Sequence, residues 1–116
     1  MNIKIVEDNI SVDELMELSK ETYYPMIKGV VDIKNEVIAF GGEYHMDANN
    51  VLLEQGYSQN NIWGFNVYLN KNDDRESWIE YMSLINIRPL QNNLDMEIQD
   101  QTIKDSIKNI VNKKIT

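Results

Sequence analysis

Apolar and polar positions along the chain alternate in two periods, and the switches between those periods mark out the elements. Ile3 and Ile5 alternate with polar neighbours, which predicts a short strand at a sheet edge. The period changes at Ser11. Val12, Leu15, Met16 and Tyr23, with Ser19 between them, recur at helical spacing. Ser11 and Glu14 stand at capping-box separation, and Ile10 and Leu15 are placed for a hydrophobic staple. Pro25 is expected to end this helix, because the residue before a proline is pushed out of the α region.

Two runs rich in β-branched residues follow, Lys28 to Ile33 and Glu36 to Phe40. Lys34-Asn35 between them predicts a two-residue hairpin turn, since Asn tolerates the left-handed conformation. A short helix is expected to start at Asp47, its N-cap, and to run to Glu54, with Gly56 as its left-handed stop. Ile62 to Leu69 has the strand period and sets Trp63, Phe65, Val67 and Leu69 on one face. After a polar loop, Trp78 to Ile87 is apolar on both faces in its middle, which predicts the longest and most central strand. Pro89 closes it, and Met96 to Ile98 is expected to pair back as a short strand. Asp100 caps a last helix with the stripe Ile103, Ile107, Ile110 and Val111, and Lys113 and Lys114 lie at its C-terminal end, where the macrodipole favours cations. The order βαββαβββα predicts an α+β fold, a mixed and mostly antiparallel sheet of five or six strands with two longer helices and one short one.

Length and charge narrow the function classes. A chain of 116 residues is expected to form a single globular domain over 1–116. It has no cysteine, which removes disulfides, thiolate metal sites and cysteine nucleophiles. Its 19 acidic against 11 basic side chains give a net charge of −8. With only Arg75 and Arg88 as arginines, nucleic-acid binding is disfavoured, since that binding draws on cations neutralising phosphates. No apolar run approaches the roughly 20 residues of a membrane span, and the N-terminus has no basic-then-apolar leader. A cytoplasmic location is the expectation, with no membrane partner.

The segment Gly41-Gly42-Glu43-Tyr44-His45-Met46-Asp47 carries the most chemistry. If it continues the preceding strand, Glu43, His45 and Asp47 share one face. Two carboxylates around an imidazole suit a divalent metal or a general base of fixed tautomer. The competing expectation is structural, with Asp47 as a helix cap, Glu43 as a solvated strand end and His45 as a satisfied histidine. Asn66 and Asn86 interrupt strand patterns and face either backbone partners or a ligand. Arg88 is placed to pair with Glu97 or to hold an anionic ligand. Phosphate-loop, dinucleotide and H-E-x-x-H signatures are absent from the sequence.

Several runs resemble a known family. Lys28 to Ile33, Gly41 to Ala48, Ile62 to Tyr68, Ser83-Leu84-Ile85-Asn86-Ile87-Arg88-Pro89 and Met96 to Asp100 are similar to a family of small uncharacterised prokaryotic proteins, a domain of unknown function. The resemblance spans nearly the whole chain and lends no activity, cofactor or partner. This chain has Asn49 where the family usually has glutamate, and Asn92-Asn93-Leu94 where the family tends to a Gly-Asn-Arg turn. The expectation is an interaction or regulatory module without catalysis, recognising a protein or small ligand. The alternative is a small metal-dependent or acid/base hydrolase using Glu43, His45 and Asp47.

Overall fold

The computed structural model describes residues 2–116. Five antiparallel strands form one sheet, β1 (Ile3–Val6), β2 (Met26–Asp32), β3 (Val37–Gly41), β4 (Ile62–Tyr68) and β5 (Ile79–Glu80), in the spatial order β1-β3-β2-β4-β5. Helices α1 (Val12–Ser19), α2 (His45–Glu54) and α3 (Gln101–Lys114) pack on it, and the α+β class stands.

The two faces of the sheet carry different cores. Leu15 of α1 and Ile107, Ile110 and Val111 of α3 bury against Ile27, Val31, Phe40, Trp63, Phe65 and Val67. The opposite face is smaller and made of smaller side chains, with Ala48 and Leu52 of α2 on Val30, Val37, Ala39 and Ile62. Alternation along β2 and β4 explains the split, since successive side chains leave a strand on opposite sides. Ser11 caps α1 through its hydroxyl to the Glu14 N–H (3.1 Å), and Asp100 caps α3 through the Thr102 N–H (2.8 Å), both as the sequence predicts.

Four local expectations are corrected. First, α1 stops at Ser19, well before Pro25. The Ser19 carbonyl takes the Thr22 and Tyr24 N–H groups (3.0 Å each), which winds the chain into a turn. Second, the β2–β3 turn holds four residues, because Asp32 pairs with Val37. The buried Asp32 carboxylate gathers the Lys34 and Asn35 N–H groups, and Glu36, not Asn35, takes the left-handed conformation (φ 57°). Third, α2 begins three residues earlier than expected. Tyr44 is its N-cap, and Asp47, inside the first turn, reaches back to accept from the N–H groups of Glu43 (3.1 Å) and Tyr44 (3.0 Å).

The fourth correction decides the shape of the site. Only Ile79 and Glu80 of the 78–87 segment are strand, and they lie at the sheet edge, while β2 is the central strand. Beyond them the chain crosses from one face of the sheet to the other. Ile79 and Tyr81 pack on the larger core, Ile85 packs on the smaller one, and Leu84 and Ile87 are exposed. An apolar pattern on both sides therefore reflects a crossing, not burial between two layers. Met96 to Ile98 forms no strand of its own, and Glu97 only bridges Met82.

The Asn86 carboxamide fixes this crossing. Its Oδ1 accepts from the Gly64 N–H (2.8 Å), and its Nδ2 donates to the carbonyls of Gly64 (3.0 Å) and Met96 (3.2 Å). The side chain thus pairs with β4 as another strand would. Gly64 permits the approach, because a Cβ there would lie 2.6 Å from the Ser83 Cβ. Asn86→Ala should lower the unfolding free energy by about 2–4 kcal/mol, because it strips the partners from a buried N–H and C=O. A denaturant titration showing a loss below about 1 kcal/mol would mean that apolar contacts hold the segment instead.

Candidate functional site

The uneven cover of the smaller face leaves a cavity of about 570 Å³ between the start of α2 and the 82–96 segment. Its floor is a row of three side chains on adjacent strands. Lys28 of β2 is in register with Asn66 of β4, and Asn66 with Glu80 of β5, so a cation, an amide and an anion stand in series. One wall is Tyr44, His45 and Met46, where α2 begins. Met82, Leu84, Ile85 and Met96 form the other, and Ser83 sits at its base. Apolar walls over a few convergent polar groups are the usual make-up of a small-molecule site.

Asn66 is 5% exposed, and its amide orientation is set by chemistry. Its Nδ2 faces two acceptors, the Glu80 carboxylate oxygen Oε1 (2.8 Å) and the Met82 carbonyl (3.5 Å). A flipped amide would set its oxygen against both. Oδ1 is thereby fixed as an acceptor; it is buried without a hydrogen bond of ordinary geometry among the described residues, and the His45 ring lies near enough for the Asn66 side chain to favour its charged form. Among the described residues no other buried side-chain oxygen or nitrogen is left without such a bond. Tyr68 also donates to Oε1 of Glu80 (3.3 Å), while the second Glu80 oxygen takes no part in these bonds.

Lys28 makes no ion pair among the described residues. Its ammonium lies 5.0 Å from the centre of the Tyr23 ring. Partial burial holds its pKa below the ordinary lysine value, against the pull of Glu80. His45 is 7% exposed, and its Nε2 lies 2.9 Å from the Phe65 carbonyl oxygen. A carbonyl only accepts, so Nε2 carries the proton and Nδ1 holds the lone pair of the neutral ring. Burial pushes the His45 pKa down to about 4, and the Lys28 charge adds to that; the Phe65 carbonyl, Asn66 and Glu80 oppose it without prevailing.

The other residues singled out in the sequence lie elsewhere. Glu43 is exposed at the turn before α2, and Asp47 spends its carboxylate on that turn, so neither joins His45. Gly41 and Gly42, both with positive φ, end β3 and break the shared strand face that would have aligned the three. No group of three His, Asp or Glu side chains is placed to hold a metal among the described residues. Asn86 is turned to Gly64, as described. Arg88 pairs with no carboxylate among the described residues. It donates to the carbonyls of Ile85 (2.9 Å), Gln59 (2.8 Å) and Ile62, and its guanidinium stacks 4.4 Å over Trp63. Glu97 meets Lys104 instead (3.5 Å). The sequence alone does not single out Lys28 and Glu80, because only strand pairing sets each of them beside Asn66.

Fold and site together define a small α+β domain with an amphiphilic pocket at the wet edge of its sheet. The family described as Protein of unknown function (DUF5674) matches residues 4–114, and the chain belongs to it. No curated protein and no solved structure matches the chain. No helix of the described residues is long and apolar enough to cross a membrane.

The single histidine makes its own test direct. A free imidazole titrates near pH 6.5. With a folded value of about 4, folding favours the neutral ring. Its contribution is complete above about pH 6.5, falls as the unfolded chain takes up the proton, and is gone below about pH 4, a span of up to about 3 kcal/mol. The imidazole resonances should show a midpoint near 4 in an NMR titration. His45→Gln should flatten the fall in stability between about pH 6.5 and 5, above the carboxylate range. A midpoint near 6.5 would mean a solvated ring.

Proposed function

We propose that this domain binds a small amphiphilic molecule, without chemistry on it, as an interaction or regulatory module. The apolar body of the ligand lies along Met46, Met82, Leu84 and Met96, and its polar head is held by the Lys28–Asn66–Glu80 row. The observation that carries this is the arrangement of the pocket floor, where the Lys28 ammonium, without an ion pair among the described residues, and the Glu80 carboxylate flank Asn66 beneath apolar walls. The methionine-rich wall fits the same purpose, since unbranched thioethers repack around different shapes.

Binding without turnover is the better account of these groups. The imidazole is committed through Nε2 to a backbone carbonyl and, with a pKa of about 4, is a weak proton acceptor at neutral pH. The Ser83 hydroxyl accepts from the Ile85 N–H (3.2 Å) at the start of a short turn, where it serves the backbone.

Phenylpropionamide tests this, offering N–H donors on an apolar body without charge. In an amide-detected NMR titration it should move the resonances of Tyr44–Met46, Met82–Ile85 and the Asn66 side chain, with affinity near millimolar as for other fragments. Asn66→Leu should stay within about 1 kcal/mol of the parent in stability, because it removes an unpaired acceptor together with a donor whose main partner, the exposed Glu80 carboxylate, keeps Tyr68 and solvent, and yet weaken this binding. Shifts spread over the whole surface, or binding unchanged in Asn66→Leu, would remove the site.

A further inference from the structure

Resting on that pocket, we infer that its ligand is an apolar zwitterion with a free ammonium and a free carboxylate, a bulky α-amino acid or a short apolar peptide with both termini free. The order of charges across the sheet carries the inference. Neighbouring strands lie about 4.7–4.9 Å apart, so the α-carbons of Lys28 and Glu80 stand roughly 10 Å from one another with Asn66 between them. Among the described residues the two charges make no ion pair with each other, and neither has another opposite charge in contact. A ligand lying along the row meets a cation at one end and an anion at the other.

Each simpler head group leaves one member of the row opposed. A monoanion paired with Lys28 sits in the field of Glu80, inside a chain of net charge −8. A monocation paired with Glu80 sits beside Lys28. A neutral head leaves both charges unmatched. In a zwitterion the carboxylate accepts from the Lys28 ammonium, and the ligand ammonium donates to the uncommitted oxygen of Glu80. Both charges of the row are then matched in kind, and the complex adds no net charge. His45 fits the same frame, since its neutral ring adds no second cation near the ammonium site.

The rest of the ligand must be apolar and large. Tyr44 and Leu84 stand 66% and 70% exposed at the rim, and Met46 48%, a surface that an aromatic or aliphatic side chain would cover. A cavity of about 570 Å³ admits one bulky amino acid or two linked ones.

Four probes that share a phenyl-alkyl body separate the outcomes: phenylalanine, phenethylamine, phenylpropionate and phenylpropionamide, with leucyl-leucine as the peptide arm. Their dissociation constants are read by the same amide-detected titration at neutral pH. Phenylalanine or leucyl-leucine should bind at least about tenfold tighter than either single-charge probe, and whichever is tighter identifies the source. Lys28→Met should reduce phenylalanine to the level of phenethylamine, and Glu80→Gln to that of phenylpropionate. In both variants without ligand, the backbone amide resonances of Tyr44–Met46 and Met82–Ile85 should stay near their positions in the parent, which shows that the pocket is intact. If the amide binds but the zwitterions have no advantage, the charge assignment is wrong while the pocket stands. If no probe moves the pocket resonances, the pocket itself is refuted and the zwitterion with it.

Discussion

A single carboxamide takes the place of a strand beside β4. Asn86 pairs both polar groups of Gly64, and that contact turns the chain away from the sheet edge and over the smaller face. Asn93 extends the device, with its Nδ2 donating to the Asn86 carbonyl (2.7 Å) and its Oδ1 accepting from the Gln99 N–H (2.8 Å). Arg88 closes it by collecting carbonyls from three segments above Trp63. Had the 78–87 run continued as a strand, β5 would be long and the smaller face would lie open. Because it crosses over, Met82 to Ile85 stand opposite α2, and the gap between them is the pocket.

The polar groups beneath that gap differ in how fully they are used. Asn86 and Asn93 are buried and saturated, which is how buried amides ordinarily persist. Asn66, two residues from Gly64 on the same strand, is nearly as buried, and its Oδ1 makes no hydrogen bond of ordinary geometry among the described residues. Lys28 gives up solvation without gaining a carboxylate, and His45 is held neutral. These costs fall on one row and one wall, whereas the larger core opposite is built from Trp63, Phe65, Ile107 and their neighbours without such debts. Their concentration marks the smaller face as the functional one.

Much of the fold was legible because it rests on local signals. The caps at Ser11 and Asp100, the strand alternation from Ile62, the stripe of α3 and the stop at Gly56 each follow from short-range chemistry, and each formed. The 78–87 segment misled because apolar residues on both sides of a run look the same for a buried strand and for a crossing between layers. What separates them is the Gly64–Asn86 contact, 22 residues apart in sequence and beyond any local window. The site was half visible. His45 and Asn66 stood out as polar residues in apolar surroundings, and both line the pocket. Glu43 and Asp47 looked like its partners only while the segment was read as a strand, and the positive φ of Gly41 and Gly42 removes that face. Lys28 and Glu80 needed strand pairing to be seen, because register places them beside Asn66.

The central claim is that the Lys28–Asn66–Glu80 row is the floor of an open pocket. A high-resolution crystal structure of the protein tests it most directly. The account predicts that the Asn66 Nδ2 faces Glu80 and the Met82 carbonyl, that Lys28 and Glu80 stay apart across the floor, and that solvent or a bound molecule fills the cavity above them. A Lys28 ammonium closed onto Glu80, with Met46 and Met82 collapsed over the floor, would contradict it.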